Sequence, residues 1–275
     1  MSPGQLAEAR IAELGITDPG DIDVEAIAYD AQMIIEYEAL DGCEATLVGV
    51  GDHAIATVRP SGVRGRDRFS IGHELGHWEM HRGRSFSCRV DDPDSNLTSD
   101  KPREKEADEY SAHLLMPSTI FNPAVRSLGK PGFRELDDLS KHFETSLLAA
   151  CIRLADVDTL PVVVACYSPS GRRWSKVAAH VPRRWWLRSK LDDDSFAHNF
   201  LLSGTRTTSA RKQPGEVWFE NDDAENYEVT EECMSGKAGE VLVLLYLSSP
   251  MLDARYDPNV GVRRYTEQGS YVKRR

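Results

Sequence analysis

Cysteine is scarce and unpaired in this 275-residue chain. Cys43, Cys88, Cys151, Cys166 and Cys233 are scattered, odd in number and never spaced CxxC. That pattern suggests neither a disulfide framework nor a cysteine zinc cluster, and it fits a reducing cytoplasm. Long apolar runs are missing as well. The longest, VLVLLYL at 241–247, falls far short of the roughly 20 residues a helix needs to span a bilayer. The opening MSPGQLAEARIAELG has neither a charged n-region followed by an apolar stretch nor a small-residue cleavage site. The expectation is a soluble, unexported cytoplasmic protein without a membrane partner. Positive charge is also in deficit, with 44 acidic against 33 basic residues and a net charge of -11. Such a balance disfavours a protein whose main task is to coat phosphate backbones, so direct nucleic-acid binding is not expected.

What is present is enough apolar residue, 40% of the chain, to bury one large core or two modest ones. Residues 3–14 and 23–32 carry apolar side chains at helical intervals, the second stretch behind Asp21 and Asp23 as capping residues. From Met33 to Val58 the texture is extended, and MIIEYEA, ATLVGV and HAIATV, separated by DG and GDH, predict a small antiparallel sheet. A polar loop, GRSFSCRVDDPDSNLTSDKP, precedes a helix beginning near Arg103, and helical segments follow at 133–144 and 146–156. Beyond Leu160 the strands PVVVACY, RRWSKVAA, EVWFE, NYEVTEECM and EVLVLLYL predominate, placing a boundary near 157–160. YVKRR reads as a frayed tail. The expected fold class is α+β, divided into an N-terminal helix (1–20), a mixed helix-and-sheet domain (21–130), a small helical segment (131–158) and a strand-rich α/β C-terminal domain (159–275).

The chemistry gathers in RFSIGHELGHWEMH, residues 68–81. On a helix, His73 and His77 lie four apart on one face with Glu74 beside them, the HExxH arrangement of zinc peptidases. Ile71, Leu75 and Trp78 form a stripe almost opposite the histidines, so one side can pack on a core while the other faces a cleft. Gly72 and Gly76 lower helix propensity at mid-element, a cost that makes sense where another backbone or a substrate approaches. A catalytic zinc usually takes three protein ligands and keeps a position for water. Gly83 stands where the HExxHxxGxxH enzymes have their third histidine, which excludes that variety. His81 continues the i, i+4 series, but three successive turns of a straight helix converge poorly on one ion. It is read as a histidine favoured by the helix C-terminus.

The third ligand is sought in REKEADEYSAHLLMP, 103–117. At about 100° per residue, Ala107, Tyr110, Ala112, Leu114 and Leu115 mark the apolar arc, and Glu104 and Asp108 fall within it. Glu106, Glu109 and His113 point the other way. A carboxylate on the buried side of an amphipathic helix is costly without a partner, and a metal is such a partner. Glu104 is the candidate third ligand, with Asp108 one turn on as an acceptor orienting a ligating imidazole. Glu106 stays as the alternative, because helix starts shift by a residue or two. Tyr110 and several histidines are candidates for a second oxyanion donor.

These blocks, with LDDLSKHFETSLLAACIRL, closely resemble the ImmA/IrrE family of zinc-dependent endopeptidases over about residues 20–156. The resemblance implies a zincin-like, gluzincin-type core, Zn2+ held by His73, His77 and Glu104, and Glu74 as the catalytic glutamate. It also implies a substrate that is a helix-turn-helix (XRE-like) repressor, whose cleavage derepresses stress-response or mobile-element genes. Many relatives carry a DNA-binding domain ahead of the peptidase. Only some twenty residues precede the family-like region here, so the repressor is expected to be a separate chain. The 131–158 segment corresponds to the family's small helices, and some longer members carry a GAF-like sensor domain where 159–275 lies.

Two features stand outside that scheme. Arg172, Arg173, Lys176, Arg183, Arg184, Arg188 and Lys190 accumulate between Asp158 and Asp192 beside Trp174, Trp185 and Trp186. They suit either an acidic partner or, more plainly, core tryptophans beside solvated arginines. Cys88 is read as a plain loop cysteine or, alternatively, as an inhibitory fourth ligand released by oxidation. The competing class of function is a non-hydrolytic, zinc-stabilised regulator that binds a protein or DNA through its C-terminal region.

Overall fold

A computed structural model describes residues 1–82, 101–203, 209–237 and 239–254, with the backbone alone of Lys101 and of the short strands at 86–88, 264–265 and 271–272. The side chain of Cys88 lies outside these described residues, as do 83–85 and 89–100 from the polar loop. The chain divides into two units, one of residues 1–127 with 137–150, the other of 128–136 with 151–275. The fold class is α+β.

The first unit opens with α1 (Pro3–Glu13), started by a Ser2/Gln5 capping box with proline at its first position, and α2 (Val24–Asp30), capped by Asp23. Strands β1 (Met33–Tyr37), β2 (Ala45–Val50), β3 (His53–Val58) and β4 (Phe86–Cys88) form a sheet in the order β1-β3-β2-β4. The wholly antiparallel sheet expected from sequence is corrected here, because β1 runs parallel to β3. The physical reason lies in the connections. Gly51, at φ 63°, closes a tight β2–β3 hairpin, whereas the 38–44 loop is long enough for β1 to reach the far side of β3. β4 pairs with β2 inside what reads as loop.

Helix α3 (Arg64–Met80) crosses this sheet, and Ile71, Leu75 and Trp78 are buried in one core with Ala45, Leu47, Ala54, Ala56 and Val58. The Trp78 indole N–H donates to Ala31 O at 2.7 Å. Helix α4 (Lys101–Leu115) lies against α3 and is followed by α5 (Ser118–Leu128). Sequence reading passes over α5, whose interior Pro123 resembles a breaker, yet Phe121 and Val125 anchor it in the core. Arg68, almost fully buried, pairs with Glu144 and donates to Ile22 O, fastening the segment before α7 to this unit. Helices α6 (Phe133–His142) and α7 (Leu147–Asp156) stand where expected, and each spans the division between units.

The second unit holds β5 (Val162–Ser168), β6 (Gly171–Val177), α8 (Phe196–Ser203), β7 (Arg211–Pro214), β8 (Glu228–Ser235) and β9 (Val241–Leu247), with α9 (Ser249–Asp253) and the two-residue strands β10 (Arg264–Tyr265) and β11 (Tyr271–Val272) after them. The sheet is antiparallel in the order β6-β5-β9-β8-β7. VLVLLYL forms the central β9, buried at every position, which is why it reads as a continuous apolar run. EVWFE is not the expected strand. A 3-10 turn occupies Gly215–Val217, and Phe219 makes only an isolated bridge to Leu187. Gly215 makes that turn possible, since a Cβ there would stand 2.7 Å from Ala224 O.

Most of the basic segment is engaged within this unit. Arg184 pairs with Asp223, Arg173 with Glu240 and Lys176 with Asp156, while Arg172 donates to Leu187 O and Arg188 to Glu216 O. Trp185 packs on Phe219 and Tyr227 and donates to Met251 O. These contacts favour the plainer reading of the arginine and tryptophan cluster.

Candidate metal centre

The site depends on how closely α3 and α4 approach. A Cβ on Gly72 would meet Ser111 Oγ at 2.6 Å, and one on Gly76 would meet Tyr110 Cβ at 3.0 Å and Ala107 Cα at 3.2 Å. The neighbour that the two glycines admit is therefore the facing helix. Gly72 against Ser111 and Gly76 against Ala107 set the pair antiparallel, and Ser111 locks it by donating to Phe69 O at 2.9 Å. On its opposite face α4 is held by α1, where Glu109 accepts from Gly4 N–H and Glu8 from His113.

This approach delivers Glu104 to the two histidines. His73 Nε2 lies 3.1 Å from His77 Nε2 and 3.3 Å from Glu104 Oε2, and His77 Nε2 lies 3.4 Å from Glu104 Oε1. Ligand atoms about 2.0–2.2 Å from a tetrahedral zinc stand roughly 3.3–3.6 Å apart, so each imidazole nitrogen is at about ligand spacing from one oxygen of the Glu104 carboxylate, and the two nitrogens stand slightly closer together than that. His73, His77 and Glu104 are, among the described residues, the group of three metal-ligating side chains that could hold one ion. Two neutral imidazoles and one carboxylate suit zinc without specifying it.

Charge is arranged accordingly. Burial works against charging His73, but its hydrogen bonds with Asp108 and Glu104 and the nearby Glu74 outweigh that and hold its pKa up at about 10. Burial pushes His77 below the usual histidine range despite Glu104. Burial would raise Glu104, yet the two imidazoles keep its carboxyl well below the ordinary carboxylate range.

Asp108 Oδ1 accepts from His73 Nδ1 at 2.9 Å, leaving the ring's Nε2 toward the centre. Its side chain is 57% exposed, so it lies on the rim of the apolar arc. Glu106 lies elsewhere: its Oε2 is 3.0 Å from His81 Nε2. Glu74 is fully buried beside His73. Tyr110, a candidate oxyanion donor, is a core residue whose hydroxyl is raised in pKa by burial, with Glu79, Arg10 and Glu13 as its charged neighbours. Sequence reasoning missed the His81 contacts, for which the only signal was the third histidine in the i, i+4 series.

Residues 59–155 match the family model described as Peptidase_M78, IrrE N-terminal-like domain. The match takes in α3, α4 and the helices through α7, and the resemblance to the ImmA/IrrE peptidases is shown over that segment. Among solved structures, a Mycobacterium tuberculosis transcriptional regulator aligns with a TM-score of 0.59 at 16% identity, covering 89% of this chain and 76% of that one. At this identity the likeness is one of fold. A search of curated proteins finds no match.

Proposed function

From an IrrE N-terminal-like domain at residues 59–155, we propose a zinc-dependent endopeptidase in which His73, His77 and Glu104 hold the metal and Glu74 is the catalytic glutamate. The observation carrying this reading is the convergence of His73 Nε2 and His77 Nε2, 3.1 Å apart, on the Glu104 carboxylate, whose Oε2 lies 3.3 Å from the first and whose Oε1 lies 3.4 Å from the second. Zinc, when bound, supplies Lewis acidity that polarises a carbonyl and brings the pKa of water to about 7. Glu74, adjacent in sequence to a ligand and carried on the same rigid helix, takes a proton from the attacking water and returns it to the leaving amine. Asp108 orients His73 through Nδ1.

The proposed substrate is a separate helix-turn-helix (XRE-like) repressor whose cleavage derepresses stress-response or mobile-element genes, as the family resemblance implies. The antiparallel sheet of the second unit is compatible with a GAF-like sensor role for 159–275. The cytoplasm is the proposed compartment. No described helix is long and apolar enough to cross a membrane.

A second reading, a metal-stabilised regulator that binds without cutting, draws support from the structural neighbour, which is named a transcriptional regulator. Incubation with a candidate repressor, with and without chelator, separates the two. Fragments that depend on metal and vanish in Glu74→Gln support the peptidase. A gel shift without fragments supports the regulator.

A further inference from the structure

A three-ligand centre leaves His81 without a role. It sits at the C-terminal cap of α3, one turn beyond His77, with its side chain 10% exposed. Its Nδ1 lies 3.2 Å from His77 Nδ1, and its Nε2 lies 3.0 Å from Glu106 Oε2 on α4. Each ring nitrogen of His81 thus has a neighbour, His77 Nδ1 for one and Glu106 Oε2 for the other.

A metal held by Nε2 of a neutral His77 leaves that ring's hydrogen on Nδ1, so His77 donates and His81 Nδ1 accepts. A neutral His81 then carries its own hydrogen on Nε2 and donates it to the Glu106 carboxylate. Every donor in the chain from His77 to Glu106 meets an acceptor, and neither ring needs to be charged.

We propose that His81 and Glu106 are positioning residues, holding His77 by its outward nitrogen as Asp108 holds His73. The inference rests on the reading of His73, His77 and Glu104 as metal ligands. Helix α4 thereby serves both histidines of α3 with three carboxylates in one short stretch. Glu104 goes to the centre, Asp108 to His73 directly, and Glu106 to His77 through the ring of His81. Fixing the tautomer and plane of a ligating imidazole in this way is worth about 10–100-fold in metal affinity.

The test is zinc titration of the full-length chain against a competing chelator, with 15N NMR of the histidine rings in the zinc-loaded protein. His81→Ala should weaken zinc binding by about 10–100-fold and remove the slowly exchanging Nδ1–H signal of His77 while leaving that of His73. His81→Asn, which places an amide oxygen where Nδ1 stood, should recover most of the loss. Glu106→Gln alters a side chain that is 47% exposed, so the fold should survive it, as circular dichroism would verify, and it should weaken binding in the same direction. Wild-type affinity and an unchanged His77 signal in both His81→Ala and Glu106→Gln would overturn the proposal with the ligand set intact. Zinc binding unmoved by His77→Ala and Glu104→Gln would instead overturn the ligand set, and the proposal with it.

Discussion

Half-buried Glu104 in the first unit and fully buried Glu231 in the second are both carboxylates met by converging donors, yet their environments drive them in opposite directions. Glu104 faces two imidazole nitrogens, which hold it ionised. Glu231, fully buried on β8, accepts from Ala197 N–H at 2.7 Å, the Trp218 indole at 2.8 Å and the Cys233 thiol at 3.1 Å. Burial prevails there and raises its pKa. The difference teaches that burial alone does not make a carboxylate a ligand. Imidazole donors that can give up their protons leave a carboxylate able to share a cation with them, whereas fixed amide, indole and thiol donors fasten a helix, here the start of α8, to a sheet.

The sharpest way to break this contrast is to neutralise each acid in turn. Glu104→Gln should lower zinc affinity by at least about a hundredfold, because one of three ligands loses its charge, while Glu231→Gln should leave it unchanged. Calorimetric zinc titration of both variants checks this. Next in size is Gly76→Val, which should separate α3 from α4. The added carbons meet Tyr110 and the α4 backbone, at a cost of about 1–3 kcal/mol in thermal unfolding together with lost metal binding.

A smaller effect should appear in the pH dependence of stability with metal removed. Glu104 has a depressed folded pKa, so its stabilisation is present above the ordinary carboxylate range and lost as pH falls. Glu231 has a raised folded pKa, so its stabilisation is present below that range and lost as pH rises through its folded pKa. Chemical denaturation across pH should show Glu104→Gln flattening the acid side and Glu231→Gln flattening the other. The smallest effect is expected at Arg173, which pairs with Glu240 and whose own side chain is mostly exposed. Arg173→Ala should change stability by less than about 1 kcal/mol.

What could be read from sequence follows from the helical period. His73 and His77 share a face, Glu104 and Asp108 share an arc, and the structure brings His73, His77 and Glu104 together with Asp108 against His73. Gly72 and Gly76 announced a close approach without saying what approached. The His81–Glu106 contact was illegible because helical phase turns Glu106 away from the arc, and its reach to His81 depends on the antiparallel offset of two helices distant in sequence. The parallel β1–β3 pair was hidden for a similar reason, since alternation fixes a strand's faces but not its neighbour. EVWFE has the aromatic and β-branched composition of a strand, yet Gly215 and the nearby Ala224 carbonyl impose a 3-10 turn.

The position of the bound metal decides most directly between these readings of the two helices. Anomalous diffraction at the zinc edge from crystals of the zinc-loaded protein should show one peak about 2.0–2.2 Å from His73 Nε2, His77 Nε2 and a Glu104 oxygen, with His81 and Glu106 outside that distance. A peak at His81 and Glu106, or none within reach of His73 and His77, would contradict it.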